Sequence, residues 1–142
     1  MIFNILRFAG VFLATLIGIP LVLFAINRVF GVNLTSAAIA ILPFMVAALF
    51  EGHKYGHQHS SAPDQSALWV AGFLMAGFGA ALALPFGLLP LLFNPQRAEQ
   101  LAQISPLFLL AAFVFAMIMA LVICRVFFGA GIRAGLNKGG TG

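Results

Sequence analysis

The sequence predicts an all-α fold, a polytopic membrane protein built as a bundle of four transmembrane helices. Of the 142 residues, 63% are hydrophobic and 7% are charged, whereas about 25% of the residues of a soluble domain are charged. The polar surface of a soluble fold cannot be assembled from this composition. The chain also contains four apolar stretches, and about 20 apolar residues in a helix are enough to cross the hydrocarbon core of a bilayer.

The polar segments between the four apolar stretches are short. The four helices are therefore predicted to form a single transmembrane domain, residues 1–128. The first stretch is expected to be retained, because it runs past the about 7–15 apolar residues of a signal peptide. The helices are expected at about 8–26, 34–50, 66–84 with a broken extension to 93, and 106–128.

Local signals support two of these boundaries. Ser105 offers a hydroxyl to cap the fourth helix, and Pro106 occupies the first helical position, where its missing N–H is not needed. Pro85 and Pro90 each remove a helical hydrogen bond, so the third helix is predicted to break near Leu84.

The fourth helix is expected to end at Phe128, because Gly129 and Gly131 follow it. The residues after these glycines are mostly small or polar. We therefore predict that 129–142 is a mobile cytoplasmic tail.

The charged residues indicate orientation rather than nucleic-acid binding. The seven Lys and Arg lie singly between apolar blocks, whereas phosphate binding requires several cations on one face. Cytoplasmic loops of membrane proteins are enriched in Lys and Arg, so the side with more of them is predicted to be cytoplasmic, and it holds both termini. This side carries Arg7, Lys54, Arg125, Arg133 and Lys138, and the other carries Arg28 and Arg97.

Several functional classes are excluded by the residue types present. The single cysteine, Cys124, excludes an internal disulfide and a CxxC redox pair. The sequence contains no nucleophile beside a base, no paired carboxylates and no phosphate-binding loop, so neither an enzyme nor a cofactor is predicted. Glu51, Asp64 and Glu99 lie at or beyond the predicted helix ends, which argues against a carrier with an ionisable residue at mid-depth.

Each predicted helix carries a stripe of small residues, and such stripes let helix backbones approach closely in lipid. These stripes are Gly10, Ala14 and Gly18; Ser36, Ala40, Pro43 and Ala47; Gly72, Ala76, Gly79 and Ala83; and Ala112, Ala116 and Ala120.

The polar segment 51–65 holds all three histidines of the chain. His53 and His57 are four residues apart, so on a continuing helix both imidazoles would project from one face at a spacing that can bind a transition metal. His59 would supply a third nitrogen. Two alternatives remain open, a pH response of the histidines near their usual pKa of about 6.5 and a solvated polar loop without a ligand.

Four residues near the predicted cytoplasmic interface are expected to anchor helix ends there. Glu51 can pair with Lys54 or Tyr55 on a helix surface. Tyr55 and Trp69 are aromatic residues of the interfacial type, and Arg125 can extend its guanidinium to the same level.

These features resemble an uncharacterised family of small four-helix inner-membrane proteins of Gram-negative bacteria. The resemblance rests on a Glu-Gly-x-x-Tyr-Gly motif at the end of the second helix, followed by a proline and a tryptophan at the start of the third. It implies a four-helix fold and a multi-pass location in the bacterial inner membrane, and it implies no activity. The matching residues are Glu51, Gly52, Tyr55, Gly56, Pro63 and Trp69.

The function predicted from these observations is that of a non-enzymatic membrane protein. It would act in the lipid bilayer by packing against a second copy of itself or within a larger membrane complex, without nucleic acid. One alternative is a small homo-oligomeric transporter or channel, for which Thr15, Asn33 and Ser36 are the candidate polar lining residues. The other alternative is a metal- or pH-responsive cytoplasmic loop built on His53, His57 and His59.

Overall fold

The structure, a computed structural model, describes residues 3–31, 37–59 and 61–139. Within these ranges the chain is helical and contains no β-strand. Three helices are long and apolar enough to cross a membrane, namely Ile5–Phe30, Gln65–Phe93 and Pro106–Asn137. The prediction of an all-α membrane protein is therefore confirmed, whereas a fourth crossing is not established by helix length and composition.

Five α-helices and one short 3₁₀ helix make up the described residues. They are α1 (Ile5–Phe30), the 3₁₀ helix (Ala37–Ala40), α2 (Leu42–Gln58), α3 (Gln65–Phe93), α4 (Pro95–Ala102) and α5 (Pro106–Gly139).

Side chains cap several helix ends. The Asn4 carboxamide oxygen accepts a hydrogen bond of 3.1 Å from the backbone N–H of Arg7 at the start of α1. At its other end α1 stops at Gly31, whose φ of 66° lies in the left-handed region that favours glycine. The predicted cap of α5 is confirmed, because the Ser105 hydroxyl accepts a hydrogen bond of 3.3 Å from the backbone N–H of Phe108.

The second helix differs from its predicted span. α2 begins at Leu42 and continues to Gln58 instead of ending at residue 50, so half of the expected polar loop is helical. Its 17 residues correspond to about 25 Å of helix. The predicted residues 34–36 lie outside the described residues.

The third helix has no break near Leu84. α3 passes through Pro85 and Pro90 as one helix and ends at Phe93. In an apolar environment a non-helical backbone would leave several polar groups without hydrogen bonds, so a helix that lacks one bond at each proline is the better solution. A short helix absent from the prediction, α4, follows directly.

The last helix extends far beyond Phe128. α5 continues to Gly139 and corresponds to about 51 Å of helix. Residues 129–139 are therefore helical and do not form the predicted mobile tail. Residues 140–142 lie outside the described part of the chain.

The helices alternate in direction along the bundle. α1 is antiparallel to α2, because Arg7 near the start of α1 contacts Glu51 near the end of α2. Farther along, the rings of Phe12 and Phe44 pack edge to face with centroids 4.8 Å apart.

α5 runs parallel to α2 and antiparallel to α3. The contact between α2 and α5 is the most extensive in the molecule. Gln65, the first residue of α3, contacts Arg125, and Gly72 lies against Arg125 and Leu121. The direction of α1 is therefore the same as that of α3.

The packed core occupies one half of the bundle, which we call the closed half. It comprises residues 5–16, 43–58, 65–80 and 117–139. The largest buried apolar side chains there are Phe8, Phe12, Met75, Cys124, Phe128 and Ile132.

The opposite half, which we call the open half, has no core. It comprises residues 20–30, 84–93 and 106–116, and none of these residues is buried. The first part of α5, residues 106–116, is exposed on every side.

Candidate functional site

Four glycines bring α2 and α5 into backbone contact at the closed half. We refer to them as the four-glycine contact, which consists of Gly52, Gly56, Gly131 and Gly135. Both helices carry the Gly-x-x-x-Gly spacing, which places two glycines on one face of a helix.

The four-glycine contact has no space for side chains. A Cβ added at Gly52 would meet the backbone oxygen of Phe128, and one added at Gly131 would lie 2.8 Å from the backbone nitrogen of His53. The neighbouring atoms belong to the backbone and cannot rotate away. This close approach explains why both helices continue past their predicted ends, since the packing outweighs a helix penalty of about 1 kcal/mol for each glycine.

A buried ion pair joins α1 to α2 beside this contact. Glu51 is fully buried. Both of its carboxylate oxygens accept hydrogen bonds from the Arg7 guanidinium, one of them 2.8 Å from Nη2. The backbone N–H of Asn4 donates to the same carboxylate at 3.0 Å. Glu51 is therefore a structural carboxylate inside the bundle, and the expected pairs with Lys54 or Tyr55 on the surface are replaced by the pair with Arg7.

The three histidines do not come together as one site. The rings of His53 and His57 lie with centroids 4.7 Å apart. His59 instead stacks on Tyr55 at 4.0 Å, and its Nδ1 lies 3.1 Å from the Tyr55 carbonyl oxygen. Among the described residues no group of three His, Cys, Asp or Glu side chains could hold a metal ion. The described residues thus contain no preformed three-histidine site, and both the metal site and the pH response stay predictions.

Trp69 and Arg125, two of the predicted interface anchors, contact each other. The Arg125 guanidinium lies 4.1 Å from the centre of the Trp69 ring, within the range of a cation–π interaction. Its Nη2 donates a hydrogen bond of 2.8 Å to Gln65 Oε1. Together these contacts fix the start of α3 against α5.

A cavity of about 250 Å³ lies beside this contact, between α3 and α5. Among the described residues, its charged lining residues are Arg125 and Arg133. Gln65 adds an amide to the lining, and the other lining residues are Leu68, Val126, Gly129 and Ala130.

An apolar cavity of about 500 Å³ lies where the closed half meets the open half. It is formed by the start of α2, the middle of α3 and the first half of α5. Its lining contains no charged or polar side chain, and includes Phe44, Ala83, Leu84, Phe113 and Met119.

Thr15, the described residue among the candidate pore-lining residues, faces its own helix. Its hydroxyl lies 2.9 Å from the carbonyl oxygens of both Val11 and Phe12. This arrangement satisfies the hydroxyl within α1. Asn33 and Ser36 lie outside the described residues.

The sequence reasoning missed three features of the site. From the sequence, Arg7 and Arg133 indicate only which side of the membrane is cytoplasmic. Gly131 is interpreted as the end of the fourth helix, so its spacing from Gly135 is not recognised as a helix contact. A signal for the ion pair existed, because a carboxylate next to an apolar helix requires a cation at the same depth. Arg7 is the matching residue at the corresponding end of the first helix.

Comparison with protein-family models, with curated proteins and with solved structures finds no match for this chain.

Proposed function

We propose that this protein is a non-enzymatic, four-crossing membrane protein that acts by packing its open half against another membrane helix. The helix would come from a second copy or from a larger membrane protein. The observation that carries the proposal is that no residue of 20–30, 84–93 or 106–116 is buried. The protein has a fixed half and an unpartnered half, as expected of a subunit that completes its packing in an assembly.

The direction of the helices supports four crossings. α1 and α3 are each long enough to cross a membrane, and they run in the same direction. The segment that joins them must then return across the membrane. α2 is antiparallel to both and is the helix within this segment, with its polar end held against α5.

The charge distribution supports a cytoplasmic closed half. Arg7, Lys54, Arg125 and Arg133 lie in that half, whereas Arg28 and Arg97 lie at the other end of the helices. The resemblance described above adds the bacterial inner membrane as the proposed location. Both termini would then be cytoplasmic.

Small residues on the outward faces support a helix as the partner. A Cβ added at Gly87 of α3 would meet nothing within 4 Å. Ala112 and Ala116 of α5 are exposed. In lipid, helices associate through such small residues because they allow close van der Waals contact.

Disulfide cross-linking in native membranes tests the proposal. Single cysteines at Ala112 and Ala116, in a Cys124→Ala background, should form cross-links to a second copy or to a larger protein. Mass spectrometry after extraction in native lipid at natural expression would identify the partner. The matched control is Lys54→Cys, an exposed position in the closed half, which should give no product. Recovery of a monomer without cross-links at any position in the open half would contradict the proposal.

The apolar cavity of about 500 Å³ favours a second candidate function, the transport of a hydrophobic molecule. Its volume lies within the about 300–1,000 Å³ of typical small-molecule pockets. A lining without polar side chains suits a lipophilic substrate rather than an ion. An Ala83→Phe variant should then lower the export of such a compound in intact cells, whereas Ala81→Phe, at an exposed α3 position that does not line the cavity, should not.

A further inference from the structure

The cavity between α3 and α5 contains cations without an anion. Among the residues that the structure describes, the one ion pair is that of Arg7 with Glu51. Both contacts of the Arg125 guanidinium are with neutral groups, the Gln65 amide and the Trp69 ring. Its Nε is buried and has no hydrogen-bond partner there. Arg125 therefore retains donor capacity and an uncompensated charge.

A second guanidinium lies two turns farther along the same helix. Arg133 is exposed and lines the same cavity as Arg125. The residues between them on this face are Gly129 and Ala130, and a Cβ added at Gly129 would meet nothing within 4 Å. The space between the two guanidinium groups is therefore open to a ligand.

The depth of the cavity matches the level of lipid headgroups. Trp69 lies one turn into α3 with 46% of its surface exposed, and tryptophan is enriched at the boundary between hydrocarbon and water. Leu68 and Val126 give the cavity an apolar side. Basic pockets between membrane helices at this depth are suited to anionic headgroups.

We infer that this cavity binds the phosphate group of an anionic phospholipid. Guanidinium groups bind phosphate through paired, charge-assisted hydrogen bonds, and the exposed Arg133 guanidinium is accessible to such a ligand while Arg125 adds a second positive charge. The cavity of about 250 Å³ is smaller than a typical pocket for a drug-sized ligand. It accommodates a headgroup, while the acyl chains remain in the bilayer. The bound lipid would brace α3 against α5.

Lipid retention by the full chain tests this inference. The protein is placed in nanodiscs that contain equal amounts of phosphatidylglycerol and phosphatidylcholine, and the lipids that remain bound are counted by native mass spectrometry. Wild type should retain one phosphatidylglycerol in preference to phosphatidylcholine. Arg133→Gln should lower that preference about tenfold, because one charge-assisted contact is lost. Gly129→Leu should lower it by filling the cavity.

The control is Arg97→Gln, which removes an exposed cation from α4 outside the cavity and should leave the preference unchanged. Equal retention of the two lipids by wild type would overturn the inference. An equal loss in Arg97→Gln and Arg133→Gln would also overturn it, since the effect would then be one of net charge. Displacement of phosphatidylglycerol by inorganic phosphate would assign the cavity to free phosphate instead.

Thermal unfolding of Gly129→Leu and Arg133→Gln is measured alongside, and unfolding midpoints close to that of the wild type would exclude a loss of structure as the cause of lost lipid retention. The readout is a bound lipid and does not depend on a protein partner. Failure of the packing proposal and failure of the lipid site are therefore distinguishable.

Discussion

At the scale of single residues, Glu51 is held inside the bundle by several hydrogen bonds. Its carboxylate is fully buried and accepts hydrogen bonds from the Arg7 guanidinium and the Asn4 backbone. Arg7 keeps 31% of its side chain exposed. Loss of Arg7 would leave a fully buried charge without a partner, which costs much free energy. Loss of the Glu51 charge would leave an arginine that water can reach, which costs less.

We expect Arg7→Gln to destabilise the protein more than Glu51→Gln. Loss of Arg7 leaves a buried carboxylate without its counter-ion, which costs about 3–5 kcal/mol. Glu51→Gln leaves a neutral amide and an arginine that water can reach, at a cost of about 1–3 kcal/mol. Thermal unfolding in detergent measures both effects.

Two further variants check the origin of this difference. Arg28→Gln removes an exposed cation at the other end of α1 and should change stability little. The double variant with Gln at both positions should be more stable than Arg7→Gln alone, since no buried charge remains. An equal cost for the two single variants would contradict this account of Glu51.

At the scale of helices, the pairing of α2 with α5 determines where both helices end. The polar end of α2 and the last turns of α5 stabilise each other through the four-glycine contact. Glycine at these positions is required by the backbone contacts, whereas Gly129 on the same helix faces open space. Neighbouring glycines of α5 thus have opposite roles.

We expect Gly131→Ala to lower the free energy of unfolding by about 1–3 kcal/mol, because the new methyl group would force the two backbones apart. Gly129→Ala is the matched control. It should be neutral or should stabilise the protein by up to about 1 kcal/mol, since alanine favours a helix and the added Cβ meets no neighbour. Both values can be measured by thermal unfolding. A similar loss in the two variants would contradict this account, because the contact with α2 would then not distinguish Gly131 from Gly129.

The positions of the three long apolar helices could be predicted from the sequence, whereas the C-terminal ends of α2 and α5 could not. Apolar stretches located α1, α3 and α5, and the Ser105 cap placed the start of α5 correctly. Polarity alone suggested that α2 stops at residue 50 and that Gly129 stops α5. Those ends depend instead on contacts between residues far apart in the chain, as in the pair of Gly52 with Phe128.

The site was predicted less well than the fold for the same reason. Trp69 and Arg125 were expected near one interface, and the structure joins them. Arg7 could not be assigned as the partner of Glu51, because spacing within one helix does not specify which helix lies beside it. Arg133 could not be placed in the site, because the sequence predicts that the fourth helix ends before it. His59 stacks on Tyr55, a contact that the spacing of the histidines does not predict.

At the scale of the whole molecule, packing and charge are both concentrated in the closed half. Arg7, Lys54, Arg125 and Arg133 lie there, together with the buried core. The open half carries apolar surface and few charges. This asymmetry relates the proposed topology to the proposed partner, because the half that lacks internal contacts is also the half that the proposed topology places away from the cytoplasm.

We expect Lys54→Cys and Arg97→Cys to react from opposite sides of the membrane, because four crossings place α2's polar end and α4 on different sides. A membrane-impermeant thiol reagent applied to spheroplasts, whose outer membrane no longer blocks it, should label Arg97→Cys and not Lys54→Cys. Disruption of the membrane should expose Lys54→Cys, and Cys124→Ala serves as the background. Labelling of both positions in intact spheroplasts would contradict the four-crossing topology.

The pairing of α2 with α5 joins two segments that are far apart in the chain and are therefore made at different times during synthesis. Gly52 and Gly56 leave the ribosome well before Gly131 and Gly135. At translation rates of about 5–20 residues per second, α2 is therefore made several seconds before its main partner. During this interval its bare glycine face is available to other helices, and membrane proteases or insertion factors would meet a half-assembled bundle. A nascent chain that stalls before α5 is consequently the form of this protein most exposed to quality control.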